Sequence, residues 1–313
     1  MARWLVTGGA GFIGSHLAQA LLARGETVRI ADDLSTGKAS NLAVLDGAAE
    51  ILTGDLADID VARAAVDGVD LVLHQAAIPS VPRSVADPLT SHRANLDATL
   101  ALLVAARDAG VRRVVYAGSS SAYGDTPDLP KHEDMVPRPM SPYALQKLVG
   151  EQYLQLFTAL YGLETVTIRY FNVFGPRQDP SSPYSGVIAL FITRLLAGEP
   201  PIITGDGGQT RDFTYIDNIV EGVLRAAVRP QAAGQVINVA TGRRISINEL
   251  AQTLLRLFDS PLTPVYIESR AGDVRDSLAD LGRARELLGY EPHVSFEDGL
   301  RATVDWYRSR STD

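Results

Sequence analysis

A tyrosine and a lysine that can take part in proton transfer lie one helical turn apart, in segment 141–147 with the sequence SPYALQK. A separation of four residues places Tyr143 and Lys147 on one face of a helix. A free tyrosine, with a pKa of about 10, is a poor base at neutral pH, but a neighbouring positive charge favours the phenolate. The same spacing is common in surface pairs, so other motifs must decide whether this pair is catalytic.

Three consecutive hydroxyl groups, on Ser119, Ser120 and Ser121, follow the β-branched run Val114–Ala117. That run predicts a parallel strand, and ligands in parallel folds bind at the carboxyl ends of the strands. A hydroxyl at this end can share a proton with a substrate and with Tyr143. A run of serines is more often an ordinary loop, so it is the position that makes these three candidates for catalysis.

The first predicted strand leads directly into a glycine-rich turn with the sequence TGGAGFIG, residues 7–14. Gly8 permits the tight turn, Gly11 lets backbone amides approach a pyrophosphate, and Gly14 allows close packing of helix on strand. A glycine pattern alone is weak evidence, but this one has the required position between a strand and a helix. It predicts a dinucleotide site.

The second predicted strand ends at an acid, Asp32. Dinucleotide sites place a ribose-binding carboxylate ~20 residues after the glycine turn, and Asp32 lies close to that position. The alternative is a plain turn residue before Ser35, Thr36 and Gly37. Because a carboxylate repels the 2′-phosphate of NADP, and Asp33 follows where a phosphate-binding arginine would stand, we expect NAD as the cofactor.

The elements that must position these residues alternate between short strands and longer helices in the first half of the chain, which predicts an α/β fold of the Rossmann type with a doubly wound parallel sheet. Predicted strands are Trp4–Thr7, Thr27–Ala31, Ala49–Thr53, Leu71–Gln75, Val114–Ala117 and Thr165–Tyr170. Predicted helices are Gly14–Arg24, Val61–Ala65, Leu89–Ala109 and Pro142–Leu160.

After Tyr170 the chain becomes rich in glycine and proline, which indicates a smaller, interleaved α/β lobe for the substrate. Helical periodicity is found at Gly186–Ala197, Ile216–Ala227 and Ile247–Leu257, and a strand-like run, Gly234–Ala240, is expected to rejoin the large sheet. We therefore predict a cofactor domain at 1–171 and 212–245, and a substrate lobe at 172–211 and 246–313.

Composition excludes several classes of function. The chain has no cysteine, which excludes disulfides and thiolate chemistry, and its five histidines lack metal-ligand spacing, so we predict no metal. A net charge of −8 without a basic run argues against nucleic acid as a partner. No apolar run approaches the ~20 residues of a membrane span, and no signal peptide is recognisable, so we expect no membrane association and a cytoplasmic location.

Two predicted helices, Leu96–Ala106 and Leu145–Leu160, are apolar on more than one face, whereas a surface helix needs a single apolar stripe. One interpretation is a wholly internal helix. We favour a homodimer that pairs these helices in a bundle through Leu96, Leu100, Leu103, Leu148, Tyr153, Leu156, Phe157 and Leu160.

Together the motifs resemble the extended short-chain dehydrogenase/reductase family, and more closely its UDP-hexose 4-epimerases. The resemblance runs nearly end to end: the glycine turn, Ser119–Ser121 before Tyr123-Gly124, Tyr143 with Lys147, the run RYFN at 169–172, TRDF at 210–213 and AGD at 271–273.

This resemblance implies a set of contacts for each ligand. For tightly bound NAD it implies Gly8, Gly11, Phe12, Ile13, Gly14, Asp32, Asp33, Ser35, Thr36, Gly37, Gln75, Ala76, Ala77, Tyr143, Lys147, Tyr170 and Val173, and less specifically Lys38, Asp55, Leu56 and Asn95. For the UDP-sugar it implies Ser80, Val81, Arg83, Ser119, Ser121, Tyr143, Asn172, Gln178, Val187, Thr204, Gln209, Arg211, Arg270, Asp273 and Ser277.

Four of these residues have particular roles by the same resemblance. Asn172 contacts the diphosphate, Arg211 and Arg270 neutralise it, and Asp273 binds the uridine ribose. Arginine matches phosphate as a bidentate fork, although either arginine can instead form a surface ion pair.

For an epimerase the resemblance implies a cycle that leaves NAD unchanged overall. Tyr143 takes the proton of the sugar 4-hydroxyl as hydride leaves C4, with Ser119 or a neighbouring serine bonded to the same oxygen. The 4-keto sugar then turns over, and hydride returns to its other face.

Substrate subclass depends on a few positions. Related dehydratases carry an Asp-Glu pair where this chain has Ser120-Ser121, and UDP-glucuronate decarboxylases usually carry glutamate at position 121, so simple epimerisation is favoured. Ser277 aligns with a gatekeeper that is tyrosine in epimerases restricted to glucose and galactose. A small serine there leaves space for a 2-acetamido group, so we expect UDP-N-acetylglucosamine and UDP-N-acetylgalactosamine, with UDP-glucose and UDP-galactose as further substrates.

Two alternatives stay open. A UDP-glucuronate 4-epimerase or decarboxylase would use Arg83 or Arg177 to hold the carboxylate. A catalytically silent NAD-binding regulator has the same fold, because fold alone does not establish chemistry. Such regulators commonly lose the tyrosine or the lysine, and this chain keeps both.

Overall fold

In the computed structural model, which describes residues 2–180, 186–268 and 275–310, seven parallel strands form one sheet in the order β11-β6-β5-β4-β1-β2-β3. The strands are β1 Arg3–Thr7, β2 Thr27–Asp32, β3 Glu50–Thr53, β4 Leu71–His74, β5 Arg113–Ser119, β6 Glu164–Tyr170, β7 Val173–Phe174, β8 Ile202–Thr204, β9 Thr210–Arg211, β10 Thr214–Tyr215, β11 Val236–Val239, β12 Ile245–Ser246 and β13 Val265–Ile267. The order reverses between β1 and β4, where doubly wound sheets bind their ligands.

Helices cover both faces of this sheet. They are α1 Phe12–Ala23, α2 Ala39–Ala43, α3 Ile59–Val66, α4 Val81–Ala86, α5 Pro88–His92, α6 Ala98–Asp108, α7 Pro142–Tyr161, α8 Val187–Leu196, α9 Ile216–Val228, α10 Ile247–Leu257, α11 Gly282–Leu288 and α12 Phe296–Arg310. Within the described ranges none is long and apolar enough to cross a membrane.

The six predicted strands and the late strand are confirmed, with ends that differ by one or two residues. Successive strand side chains alternate between two cores because they point to opposite faces of a sheet. Val6 and Leu73 pack with α1 and α9, while Leu5 and Val72 pack with α3, α6 and α7. Both faces are covered, which explains why these strands are continuously apolar.

The predicted helix Leu89–Ala109 is divided by a π-helical segment, Arg93–Asp97, between α5 and α6. The extra residue in a π-turn re-aims side chains, and such segments are frequent at functional sites. The apolar spacing of the sequence fits both helix types, so it could not reveal this segment.

Three further two-stranded sheets pair β7 with β10, β8 with β13 and β9 with β12. Buried Asp212 connects the loops beside them: its carboxylate accepts hydrogen bonds from the backbone N–H groups of Thr241, Gly242 and Ala279 at 2.9, 2.9 and 3.3 Å. The helix α12 was absent from the sequence prediction, although Phe296, Leu300 and Val304 recur every four residues and are buried.

Candidate active site

The glycine turn forms a cradle that has no space for side chains. At Gly8, whose φ is +65°, a Cβ atom would lie 2.7 Å from the backbone nitrogen of Ala76, and at Gly14 it would lie 2.2 Å from the carbonyl oxygen of Gly8. No side chain caps the N-terminus of α1 at Gly11. The first amides of α1, including those of Phe12 and Ile13, therefore lie at the positive end of the helix dipole. This is the end of a helix that binds a pyrophosphate.

Asp32 ends β2 beside this cradle and is almost fully buried. Its carboxylate accepts hydrogen bonds from the backbone N–H groups of Ala10, at 2.9 Å, and Leu34, at 2.8 Å. Burial raises the pKa of Asp32, and these two bonds oppose the rise. A Cβ at Gly37 would lie 2.9 Å from Asp32 Oδ1, so the loop that includes Ser35 and Thr36 packs closely on this carboxylate.

The exposed residues around Asp32 form local contacts. Asp33 accepts a hydrogen bond from the Ser35 hydroxyl at 2.6 Å, and Lys38 pairs with Asp179 at 2.7 Å. Asp55 accepts two hydrogen bonds from Arg93, at 2.9 and 3.1 Å, next to buried Leu56. Lys38 and Asp55 therefore already have partners in the protein.

A chain of buried hydrogen bonds leaves the cradle at Thr7. The Thr7 hydroxyl accepts from the backbone N–H groups of Gln75 and Ala76, both at 3.1 Å, and lies 2.7 Å from His74 Nδ1. His74 Nε2 lies 3.0 Å from the Thr99 hydroxyl, which itself donates to the Asn95 carbonyl at 2.7 Å. These donors fix a neutral His74 with its proton on Nε2, and burial lowers its pKa to about 3.

Asn95 lies in the π-helical segment, and its side-chain amide forms hydrogen bonds with other groups of the protein. Its Oδ1 accepts from the Ile78 N–H at 2.7 Å, and its Nδ2 donates to Gln146 Oε1 at 2.8 Å. Asn95 thus joins the loop after β4, which includes Ala77, to α7. The cofactor contact that the sequence predicts for Asn95 stays a prediction, and the structure adds this bridging position.

Tyr143 and Lys147 lie on the first turns of α7, as predicted. The Ser141 hydroxyl caps this helix by accepting from Ala144 N–H at 3.1 Å, and Pro142 occupies the first helical position. The Ser84 hydroxyl of α4 accepts a hydrogen bond from the Tyr143 N–H at 3.1 Å. Ser84 was not predicted, because only the folded chain brings α4 to α7.

Burial dominates the electrostatics of the pair in the protein alone. Burial raises the pKa of Tyr143, and a hydrogen bond with Ser119 opposes the rise only in part. Burial also lowers the pKa of Lys147 to about 7, since desolvation disfavours both the phenolate and the ammonium. The lowered tyrosine pKa that we expect depends on the ammonium together with a bound nicotinamide cation, so it stays a prediction for the cofactor-bound enzyme.

Ser119, at the carboxyl end of β5, is the serine that meets Tyr143. Ser119 Oγ lies 2.7 Å from Ser121 Oγ and accepts from the Ser121 N–H at 3.2 Å, while Ser120 begins the tight 3₁₀ turn Ser120–Tyr123. Ser119 interacts with both Ser121 and Tyr143. This arrangement can share one proton among three hydroxyl groups.

Tyr170 and Gln75 close the same edge of the sheet: the Tyr170 hydroxyl donates to Gln75 Oε1 at 2.9 Å. The next residues turn sharply, since Asn172 has a φ of +30° and its carbonyl accepts from Thr214 N–H at 3.2 Å. Val173 accepts from Gln178 Nε2 at 3.2 Å. A left-handed backbone at a non-glycine residue is often found at ligand sites.

The predicted sugar-nucleotide residues come together in part. Gln209 Nε2 donates to the Thr204 carbonyl at 2.8 Å, Arg211 donates to the Arg275 carbonyl at 3.1 Å, and the Ser277 N–H donates to the Thr210 carbonyl at 3.1 Å. Ser80 caps α4, where Val81 and Arg83 are exposed, and Val187 begins α8. Arg270 and Asp273 lie outside the described residues.

Among the residues described here, no group of three or more acidic or histidine side chains could hold a metal ion. The cradle without side chains, the uncapped helix and the buried acid fit a dinucleotide. The tyrosine, lysine and serines beside them fit proton transfer coupled to hydride transfer. Fold and site therefore define a dinucleotide-dependent enzyme of the short-chain dehydrogenase/reductase type.

The chain belongs to the NAD dependent epimerase/dehydratase family, which it matches over residues 4–240. It is 42% identical to a UDP-glucose 4-epimerase of Mycolicibacterium smegmatis, over 99% of each chain. A UDP-N-acetylglucosamine 4-epimerase from Methanobrevibacter ruminantium, solved with UDP-N-acetylmuramic acid, superposes with a TM-score of 0.94 at 41% identity and 99% coverage of both chains. NAD is thus the cofactor.

A second solved relative is a UDP-glucuronic acid 4-epimerase from Bacillus cereus, in complex with UDP-glucuronic acid and NAD. It superposes with a TM-score of 0.91 at 33% identity, over 98% of this chain and 99% of that one. The family therefore includes several sugar specificities.

We predict that Gly14→Ala weakens NAD binding by roughly 10- to 100-fold, because overpacking of about 1–3 kcal/mol is expected where the new methyl group meets the Gly8 carbonyl. Calorimetric titration with NAD measures the loss, and thermal melting checks the fold. The control is Gly282→Ala, where the nearest atom to the new methyl group is an Asp280 carboxylate oxygen at 2.9 Å, at the end of a side chain that can move. Equal NAD affinity in both variants would contradict the cradle.

Proposed function

We propose that the protein is an NAD-dependent 4-epimerase of UDP-hexoses, with UDP-N-acetylglucosamine and UDP-N-acetylgalactosamine as principal substrates and UDP-glucose and UDP-galactose as further ones. The observation that carries the proposal is the convergence of Tyr143, Lys147 and Ser119 at the carboxyl edge of the sheet, beside a dinucleotide cradle. Full-length similarity to 4-epimerases supports it.

In this mechanism Tyr143 takes the proton of the sugar 4-hydroxyl, and Ser119, bonded to Ser121, donates a hydrogen bond to the same oxygen. Lys147 supplies positive charge that favours the phenolate. NAD, held by the glycine cradle and Asp32, would supply a reversible acceptor for the hydride of C4, so that the hydride can return to the opposite face of the 4-keto sugar. Asn172, Gln178 and Arg211 hold the diphosphate end while the sugar turns over.

The acid–base groups present are sufficient for epimerisation but fewer than elimination requires. The tight turn after β5 carries hydroxyl groups at Ser120 and Ser121, where the related dehydratases carry Asp-Glu and the decarboxylases carry glutamate at the second position. Without a carboxylate there, loss of water from the sugar lacks its further acid and base. Epimerisation is therefore favoured over dehydration and decarboxylation.

The uronate alternative has two candidate anchors for a sugar carboxylate. Arg177 donates a hydrogen bond from Nη2 to Gln19 of α1 at 2.9 Å. Arg83, exposed on α4, is the other candidate.

We predict that Tyr143→Phe lowers kcat by about 10²- to 10⁴-fold, the usual contribution of general acid–base catalysis, while NAD stays bound. The phenyl ring keeps the packing of α7 and removes only the proton carrier. Tyr161→Phe, at the exposed end of the same helix, is the matched control and should keep full activity. Chromatographic separation of the UDP-sugars gives the rates, and undiminished turnover by Tyr143→Phe would refute the mechanism.

We predict that Ser277→Tyr lowers turnover of UDP-N-acetylglucosamine by roughly 10- to 100-fold, through overpacking of about 1–3 kcal/mol against the acetamido group, and leaves UDP-glucose turnover intact. Ser277 binds Thr210 through its backbone N–H, which the substitution retains. Ser277→Ala should keep both activities. An equal loss on both sugars would show that position 277 does not select the 2-substituent.

We also propose a homodimer that pairs α7 and α6 with their copies. Of the apolar residues expected at this interface, Leu103, Leu148 and Phe157 are buried within one chain, whereas Leu156 and Leu160 are 50% and 67% exposed. α7 is therefore not a wholly internal helix, and its outer face is apolar enough to need a partner.

Leu156→Arg should convert this dimer to a monomer of 33.6 kDa, because the interface cannot pair the new charge. Light scattering after size-exclusion chromatography measures the mass. Val228→Arg, equally exposed at the end of α9 on the opposite side of the sheet, should stay dimeric. A wild-type protein that is already monomeric would disprove the proposal.

A further inference from the structure

Lys147 has an aromatic partner in place of a carboxylate. Its Nζ lies 4.7 Å from the centroid of the Tyr116 ring, which is fully buried on β5. Within the part of the chain that the structure describes, Lys147 forms no ion pair, and Glu151, one turn further along α7, is instead bidentate with Arg169 at 2.7 and 2.9 Å. The ring face is thus the group that meets the ammonium.

The position of the Tyr116 ring is closely constrained. A Cβ atom at Gly150 would lie 2.5 Å from the Tyr116 hydroxyl oxygen and 2.9 Å from the ring carbon that carries it. Glycine at 150, on the same face of α7 as Lys147, is therefore what lets the ring lie against this helix. On the other side, the His74 ring lies 5.6 Å from the Tyr116 ring.

The protonation state of Lys147 responds to small changes in free energy near neutral pH. Burial brings the pKa of Lys147 to about 7, so a change of ~1.4 kcal/mol alters the ratio of charged to neutral lysine tenfold near neutral pH. The titratable groups around it are His74 on β4, Tyr116 on β5, and Tyr143 with the paired Glu151 on α7. His74 is held neutral by its two threonine partners, and its pKa is lowered in part by Lys147 itself.

We propose that Tyr116 is a positioning residue whose ring holds the Lys147 ammonium by a cation–π interaction and so keeps the lysine protonated beside Tyr143. The negative face of an aromatic ring attracts a cation, and the interaction is strongest where water is excluded. Tyr116 acts only through Lys147, so this inference rests on the role of Lys147 in the proposed function.

The chain is well suited to a direct test, because only three of its 29 basic residues are lysines: Lys38, Lys131 and Lys147. Lysine labelled with ¹³C at Cε gives three signals, and Lys38→Arg and Lys131→Arg identify two of them. We titrate the signal of Lys147 in the NAD-bound protein with Tyr116 present, with Tyr116→Phe, which keeps the ring, and with Tyr116→Leu, which removes it.

The expected result is a fall of about one unit in the pKa of Lys147 in Tyr116→Leu and none in Tyr116→Phe. The pH dependence of kcat should follow: its acidic limb moves to higher pH by a similar amount in Tyr116→Leu only, since a less charged lysine favours the phenolate less. Thermal melting and NAD content report on the fold separately.

The outcomes separate the two proposals. An unchanged pKa of Lys147 in folded Tyr116→Leu overturns the cation–π role, whatever the activity. A pKa that falls while the pH profile of kcat stays fixed confirms the ring contact and removes Lys147 from the proposed chemistry. A loss of activity shared equally by Tyr116→Phe and Tyr116→Leu, without a pKa change, indicates packing alone and also overturns the inference.

Discussion

A buried chain of hydrogen bonds, from Thr7 through His74, Thr99 and Asn95 to Gln146, is the constraint on which the site depends. It begins at the end of β1, where the cofactor cradle starts, and ends on α7 one residue before Lys147. Buried polar groups are costly unless every partner is present. The cradle and the catalytic helix therefore hold a single relative position, which the transfer of a hydride at C4 and of a proton at its hydroxyl oxygen requires.

The same burial that fixes the geometry also sets the electrostatics. Desolvation raises the pKa of Tyr143 and lowers that of Lys147, so the protein residues by themselves favour the neutral forms of both. In the proposed mechanism the charge of Lys147, together with that of the bound cofactor, favours the phenolate. The Tyr116 ring, 4.7 Å from Lys147 Nζ, preserves the lysine charge.

Sequence reasoning succeeds where a signal is local. The strands were predicted from their apolar runs, the cradle from its glycines, and Tyr143 with Lys147 from their spacing, because each property depends on neighbouring residues. Ser84 and Tyr116 were missed, since their roles arise from contacts between distant elements.

Two further features have the same physical origin. The bonds by which the Asn95 amide joins Ile78 to Gln146 could not be predicted from the sequence. The depth at which Tyr143 is buried, which raises its pKa in the protein alone, is likewise a property of the folded chain. The measurement that tests the account most directly uses UDP-N-acetylglucosamine and UDP-glucose deuterated at C4, incubated in ordinary water with the NAD-bound protein. If the hydride returns to the carbon that it left, the C4 epimer keeps its deuterium, and this is the result that the account predicts. An epimer that has exchanged this deuterium for solvent hydrogen would contradict the account.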